Sequence, residues 1–146
     1  MDKKPMVGCA VMLMKGNKVL LGKRHNNPEK SDSLLHGEGT WTMPGGGMNF
    51  HENPKDCARR EAREETGIEV GDFDLISVTN DKVHDAHFVT PGFKCTDFSG
   101  EAKIMEPDEI VEWKWFSFDE IPDNLFFPTR KIIENYRNNN ILHGDD

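Results

Sequence analysis

The sequence predicts an α+β fold in which strands and helices are layered as an α/β/α sandwich, and three stretches carry the prediction. An apolar run at 6–14 and a returning strand at 19–24 flank Lys15-Gly16-Asn17-Lys18, which has the composition of a hairpin turn. The segment 53–66 is framed as a helix by Asn53-Pro54 before it and Gly67 after it. Residues 112–118, Glu-Trp-Lys-Trp-Phe-Ser-Phe, alternate with period two and precede a second helical pattern.

Taken in order, Met-Val-Gly-Cys-Ala-Val-Met-Leu-Met at 6–14 suits a buried strand. The returning strand ends at Lys23 and Arg24, whose default reading is a solvated strand end. Residues 25–40 are polar and lack periodicity. Loops longer than about 12–15 residues in compact domains tend to be functional or disordered, so this stretch is expected to rim a site. His25 and His36 have no partner at metal-ligand spacing and read as surface residues. A short strand at 40–43 delivers the chain into Pro44-Gly45-Gly46-Gly47, expected to be a turn with freely chosen dihedrals rather than regular structure.

After the first helix, 73–80 alternates as a strand, and 87–95 reads as another, broken or bulged at Pro91-Gly92. Residues 101–109 form an acidic loop. Along 112–118, Trp113, Trp115 and Ser117 share one side, and Lys114, Phe116 and Phe118 the other. Asp119-Glu120-Ile121-Pro122 is a capped turn. Leu125-Phe126-Phe127-Pro128 leads into a helix over 129–138 with Ile132, Ile133 and Tyr136 as its apolar stripe. Residues from about 139 to 146 are expected to be a frayed tail.

The 146 residues make one domain, large enough for a core of its own. A net charge of −8 argues against gripping a nucleic-acid polymer, which needs a basic patch. Small anionic substrates would have to be met locally by metal, glycine amides and a few basic side chains. Cys9, Cys57 and Cys95 are an odd number without a C-x-x-C pair and read as buried, reduced thiols. There is no apolar run of membrane-spanning length, and Met1-Asp2-Lys3-Lys4-Pro5 lacks a signal-peptide core, so a cytoplasmic home is the expectation.

The chemistry concentrates in 46–68. Glu61, Glu64 and Glu65, spaced i, i+3, i+4, come to one side of a helix. Like charges so placed repel, and a bare helix gains nothing from them. A hard divalent cation resolves the conflict; Mg²⁺ usually takes one or two carboxylates plus water and substrate phosphates. The alternative is a charged, solvated helix face. Glu52 can pair with Arg60 across the helix start, and Arg60 stands at i−4 from Glu64. The glycines offer backbone N–H groups and close approach, a common phosphate cradle.

Gly46-x5-Glu52-x7-Arg60-Glu61-x2-Glu64-Glu65-x-Gly67-Ile68 resembles the complete Nudix box. Every fixed position matches, with Ala62 at the small end of the aliphatic class wanted there. Trp41-Thr42-Met43-Pro44-Gly45-Gly46 resembles the approach strand of these hydrolases. The resemblance implies a mixed β-sheet between helices and cleavage of a nucleoside diphosphate linked to a group X, with Mg²⁺ or Mn²⁺. It implies Glu61 and Glu65 as metal ligands, Glu64 as a ligand or as base for the attacking water, and the Gly45 carbonyl as a further ligand. Glu52 and Arg60 become supporting members of the catalytic set. Gly45, Gly46, Gly47 and Arg24 become candidate phosphate-binding groups. Phe127, with Phe126 and Trp113, is a candidate wall for the base, against the ordinary fate of core packing. Glu109 and Glu112 are candidates for one further acid, and His84, Asp85 and His87 for the pocket mouth.

Subclass markers narrow X. Where the ADP-ribose type carries a Pro and the dinucleoside-polyphosphate type a Tyr, this chain has His84, and its one Tyr is Tyr136. Glu106-Pro107-Asp108-Glu109, Trp113-Lys114-Trp115 and Leu125-Phe126-Phe127-Pro128 resemble small triphosphate diphosphatases. The expected reaction is hydrolysis of a nucleoside triphosphate, a modified or oxidised dNTP among the options, to monophosphate and pyrophosphate. The alternatives are an ADP-ribose or nucleotide-sugar pyrophosphatase, and a non-catalytic nucleotide-sensing module, which would usually have lost box carboxylates. Homodimers are common in the family, and no stretch of this chain shows one.

Overall fold

A computed structural model describes residues 3–30 and 33–146. The elements are β1 (Met6–Lys15), β2 (Lys18–Arg24), β3 (Trp41–Thr42), β4 (Gly45–Gly47), α1 (Pro54–Thr66), β5 (Glu69–Val70), β6 (Asp74–Val83), β7 (Ala86–Cys95), β8 (Phe98–Ser99), β9 (Ile110–Ser117) and α2 (Phe127–Asn138).

The alternation of β1 builds the two layers. Cys9, Val11 and Leu13 point to one face, where they pack with Leu20, Cys57, Ala58, Ile68 and Phe93 beneath α1. Ala10, Met12 and Met14 point to the other, against Val19, Leu21, Ile132 and Ile133 beneath α2. A strand buried on both faces must be apolar throughout, which is why 6–14 reads as an unbroken run. Trp113 and Trp115 join the α1 side, Phe116 and Phe118 the α2 side, as their alternation requires. The sheet is mixed: β1 pairs parallel with β7, and the other pairings are antiparallel.

The β1–β2 hairpin is paired only near its turn, at Met14↔Val19 and Lys15↔Lys18. Beyond that the strands part, and the segment 41–47 fills the gap. Its first part pairs with β2 at Gly22↔Thr42, and its last part with β1 at Gly8↔Gly47, Cys9↔Gly46 and Ala10↔Gly45. Gly45-Gly46-Gly47 is therefore a strand, not a free turn, and none of the three has a positive φ. These glycines are needed for space. A Cβ on Gly45 would stand 2.2 Å from the Cys9 carbonyl oxygen, and one on Gly46 2.6 Å from the Glu61 carboxylate.

Other expectations shift in detail. Asn53 holds the N-cap position of α1, but its side chain makes no capping hydrogen bond to the backbone and instead meets Asp56. Gly67, at φ 79°, ends the helix in the left-handed region. β7 runs unbroken through Pro91, which faces Val78; the register shift lies on its partner β6, between Leu75 and Ser77. Helix α2 begins at Phe127 rather than Thr129, with Pro128 accommodated in its first turn, where no intrahelical N–H is required. The segment after α2 is not frayed. The Ile141 carbonyl accepts from Val78 N–H at 2.9 Å, and Asp146 accepts from Asn80 N–H at 3.0 Å and from Lys131 Nζ at 2.6 Å. Among the described residues, no helix is long and apolar enough to cross a membrane.

Candidate active site

A cavity of about 450 Å³ opens where β4, the start of β1, α1 and the N-terminus of α2 meet. Its size is within the usual range for ligand sites, about 300–1,000 Å³. Glu61, Glu64 and Glu65 of α1 and all three glycines of β4 lie on its wall.

Arg60 organises the acids. Its Nε and Nη2 donate to both oxygens of Glu52 at 2.8 and 2.9 Å, a two-pronged pairing. Its Nη1 donates to Glu61 at 2.7 Å and to Glu64 at 3.2 Å, and Nη2 also reaches the Gly47 carbonyl at 2.9 Å. One guanidinium thus ties the loop before α1, strand β4 and two carboxylates of α1 together. The same bond holds the Glu52 carboxyl down at about 2, helped by the Asn49 N–H. Glu61 is buried and Glu65 half-buried; burial pushes both carboxyls up, and the neighbouring Glu61 charge pushes Glu65 further. Gly45 N–H donates to Glu65 at 3.3 Å.

Among the described residues, no group of three His, Cys, Asp or Glu side chains is arranged as it stands to hold a metal ion. Glu64 is exposed and turned to Arg60. Glu61 and Glu65 nevertheless fit a hard divalent cation: two oxygen donors, desolvated and mutually repelling, with one guanidinium already shared among three acids. A cation here would be held by this pair, completed by water and substrate phosphates, as Mg²⁺ commonly is.

Arg24 is not a solvated strand end. It is buried, lines the cavity, donates to the His36 carbonyl, and lies 4.7 Å from the Phe126 ring centroid. Burial draws its guanidinium below the ordinary value, opposed by Glu38, Glu109 and Glu65. Phe126, not Phe127, is on the cavity wall, because the earlier start of α2 makes Phe127 the first residue of the helix. Trp113 packs under Gly22 in the core. Glu109 lines the cavity and Glu112 does not. His84 and His87 line a separate surface recess at the β6–β7 hairpin, and Asp85 pairs there with His36. Ser33, Leu34 and Leu35 bring the 25–40 loop to the cavity.

The sequence reading named Glu106 only within a subclass-like segment and did not single out Gly8, Phe88 or Thr90; all four line the cavity. Phe88 and Thr90 were findable in principle, since period two puts them on one face of β7. Cys9 and Cys57, 48 residues apart, meet at 2.7 Å in the core between β1 and α1.

Comparison with known proteins gives a consistent picture. The NUDIX domain model matches residues 2–136. A Methanocaldococcus jannaschii protein named ADP-ribose pyrophosphatase is 31% identical over 134 residues, covering 90% of this chain and 73% of that protein. A Proteus vulgaris protein named 8-oxo-dGTP diphosphatase is 32% identical over 102 residues, 69% of this chain and 85% of that one. An Erythrobacter litoralis protein named RNA pyrophosphohydrolase is 30% identical over 114 residues, 65% of this chain and 69% of that one. Among solved structures, a MutT NUDIX hydrolase from Burkholderia pseudomallei superposes with a TM-score of 0.82 at 31% identity, covering 91% of this chain and 98% of that one.

Proposed function

The chain belongs to the Nudix family and is a pyrophosphohydrolase of that family, and from that premise we propose that it hydrolyses a nucleoside triphosphate to the monophosphate and pyrophosphate. The observation that carries the reading is the composition of one cavity wall. Acid donors for a cation (Glu61, Glu65), a buried guanidinium (Arg24) and flat apolar surface (Phe126, Phe88) face the same space. That set suits a substrate with a polyanionic part and an aromatic part.

Glu61 and Glu65 would hold a divalent ion, which would supply charge neutralisation and an acidified water. The chain's own groups do the rest. Arg60 fixes Glu61 and Glu64 relative to β4. Arg24 meets phosphate oxygens, and Phe126 and Phe88 exclude water around the base. Water adds to phosphorus, the bridging P–O bond breaks with its electrons on the departing oxygen, and Glu64, the most exposed of the three α1 carboxylates, takes the proton. Oxidised dNTPs are included because a relative named for 8-oxo-dGTP matches across most of its length. ADP-ribose is the second reading, favoured by a relative of that name that matches 90% of this chain.

The test is a Mg²⁺-dependent panel with product identification: canonical dNTPs, 8-oxo-dGTP, ADP-ribose, a nucleotide sugar and 5′-triphosphate RNA. Monophosphate plus pyrophosphate from a triphosphate, at kcat/KM of about 10⁴ M⁻¹s⁻¹ or more, supports the proposal. Turnover confined to ADP-ribose or to RNA replaces it. Glu61→Gln should lower kcat by roughly 10²-fold or more with the fold retained. Arg24→Ala should raise KM for the triphosphate.

A further inference from the structure

Behind the cavity lies a buried polar chain that the reaction does not use. The Asp81 side chain is 0% exposed. Its Oδ2 accepts two hydrogen bonds, from Thr79 Oγ1 at 2.9 Å and from Thr90 Oγ1 at 2.8 Å. Its Oδ1 has no hydrogen-bond partner among the described residues and faces Lys131 Nζ at 3.6 Å. Lys131 is itself buried, donating to the Asn80 carbonyl at 2.8 Å and to Asp146 Oδ1 at 2.6 Å. The chain therefore runs from the strap after α2, through Lys131 and Asp81, to Thr90 on the cavity wall.

The orientation of the Thr90 hydroxyl follows. A hydroxyl has one proton, and this one is committed to Asp81; its two lone pairs can only accept. Gly8 brings that oxygen and the Phe88 ring side by side on the cavity wall: a Cβ there would stand 3.6 Å from Thr90 Oγ1 and 3.7 Å from the ring. A ligand edge lying against Phe88 thus meets an acceptor with a fixed sense.

We infer that Asp81 is a positioning residue for specificity: it polarises Thr90 so that the cavity selects a nucleobase edge carrying an N–H donor over one carrying a carbonyl at the same place. This deepens the triphosphate reading and rests on it. Lys131 sets the orientation of Asp81 in turn, and it makes the consequence of Asp81→Asn definite. The carboxamide oxygen turns to the ammonium of Lys131, and its NH₂ turns to Thr79 and Thr90. Thr90 then accepts from residue 81 and donates into the cavity, reversing the preference.

The experiment compares kcat/KM for nucleotide pairs differing in one group, dCTP against dUTP and dATP against dITP. The wild type favours the amino member of a pair; Asp81→Asn should move the ratio toward the oxo member by roughly tenfold, the scale of one hydrogen bond. Thr90→Val should bring the ratio toward one. Both members slowing together in Asp81→Asn, with the ratio unmoved, overturns the inference, because a merely structural role predicts that. If the wild type hydrolyses no triphosphate, the proposed function fails, and a second readout decides this inference: in nucleotide-free Asp81→Asn protein, NMR should show protected side-chain amide protons at residue 81 with contacts to Thr90. Amide protons directed at Lys131 instead would overturn it.

Discussion

Glu65 is held at a disadvantage by the fold. Burial, and then the charge of Glu61, keep its carboxyl well above the usual range. A raised folded value means that the metal-free native state binds this proton more tightly than the unfolded chain does. The strain is absent at pH below the ordinary carboxylate value and grows as pH rises through the raised one. Glu65→Gln removes it. Metal-free Glu65→Gln should therefore melt above the wild type at about pH 7.5 and level with it near about pH 4, while losing most turnover. Paired thermal melts at the two pH values check this; a lower melt at both would remove the strain argument. Neighbouring glycines separate in the same way. Gly45→Ala drives a Cβ into the backbone of β1 and should cost about 1–3 kcal/mol of stability or more. Gly46→Ala pushes on the end of the Glu61 side chain, so it should impair Mg²⁺ binding and kcat more than folding. Denaturant melts beside kinetics for both variants distinguish the two outcomes.

At the scale of elements, the strap after α2 is fastened by hydrogen bonds and ion pairs rather than by apolar burial. Asp146→Ala removes a hydrogen bond to a buried ammonium and should cost about 1.5–3 kcal/mol, read as a lower midpoint in urea. This is also where the sequence was hardest to read. Helix α1 announced itself because Pro54 and Gly67 act locally, through φ and through the left-handed stop. The strap depends on Lys131 and Asp146, 15 positions apart, and no local pattern links them. Gly45-Gly46-Gly47 misled for a different reason. Glycine's local meaning is conformational freedom, whereas here it is the lack of a Cβ against Cys9 and Glu61, which only the assembled sheet reveals. The bulge at 75–77 fell opposite the Pro-Gly pair rather than on it, since a register shift can sit on either partner strand. Phe126 and Phe127 could not be told apart until the first turn of α2 was fixed.

For the molecule as a whole, the layered fold, the two-sided burial of β1 and the box helix were all legible, because each rests on periodicity or on a complete motif. The cavity was legible along α1 and β4, and at Arg24, Glu109, Phe126 and the 25–40 loop. Its far wall, Gly8, Phe88 and Thr90, is assembled by the parallel pairing of β1 with β7, a contact between segments about 80 residues apart. A whole-molecule prediction follows from the acid pair. Mg²⁺ at about a hundred times its dissociation constant should stabilise the native state by about 2.7 kcal/mol, reversed by EDTA and absent in a Glu61→Gln, Glu65→Gln double variant. Equal stabilisation of that variant would place the cation elsewhere.

The splayed hairpin has a consequence for how this chemistry could be moved between proteins. The 23 residues of the box look like a cassette, yet the groups that make them work are not all in it. Gly46 owes its place to Cys9 across the opened β1–β2 gap, and Arg60 reaches back to the Gly47 carbonyl on that same inserted strand. A peptide spanning 46–68, or a graft of it onto another helix, would carry every motif letter and lack the frame that holds the acids beside the glycines. What is heritable as a unit is the helix together with the wedge it leans on.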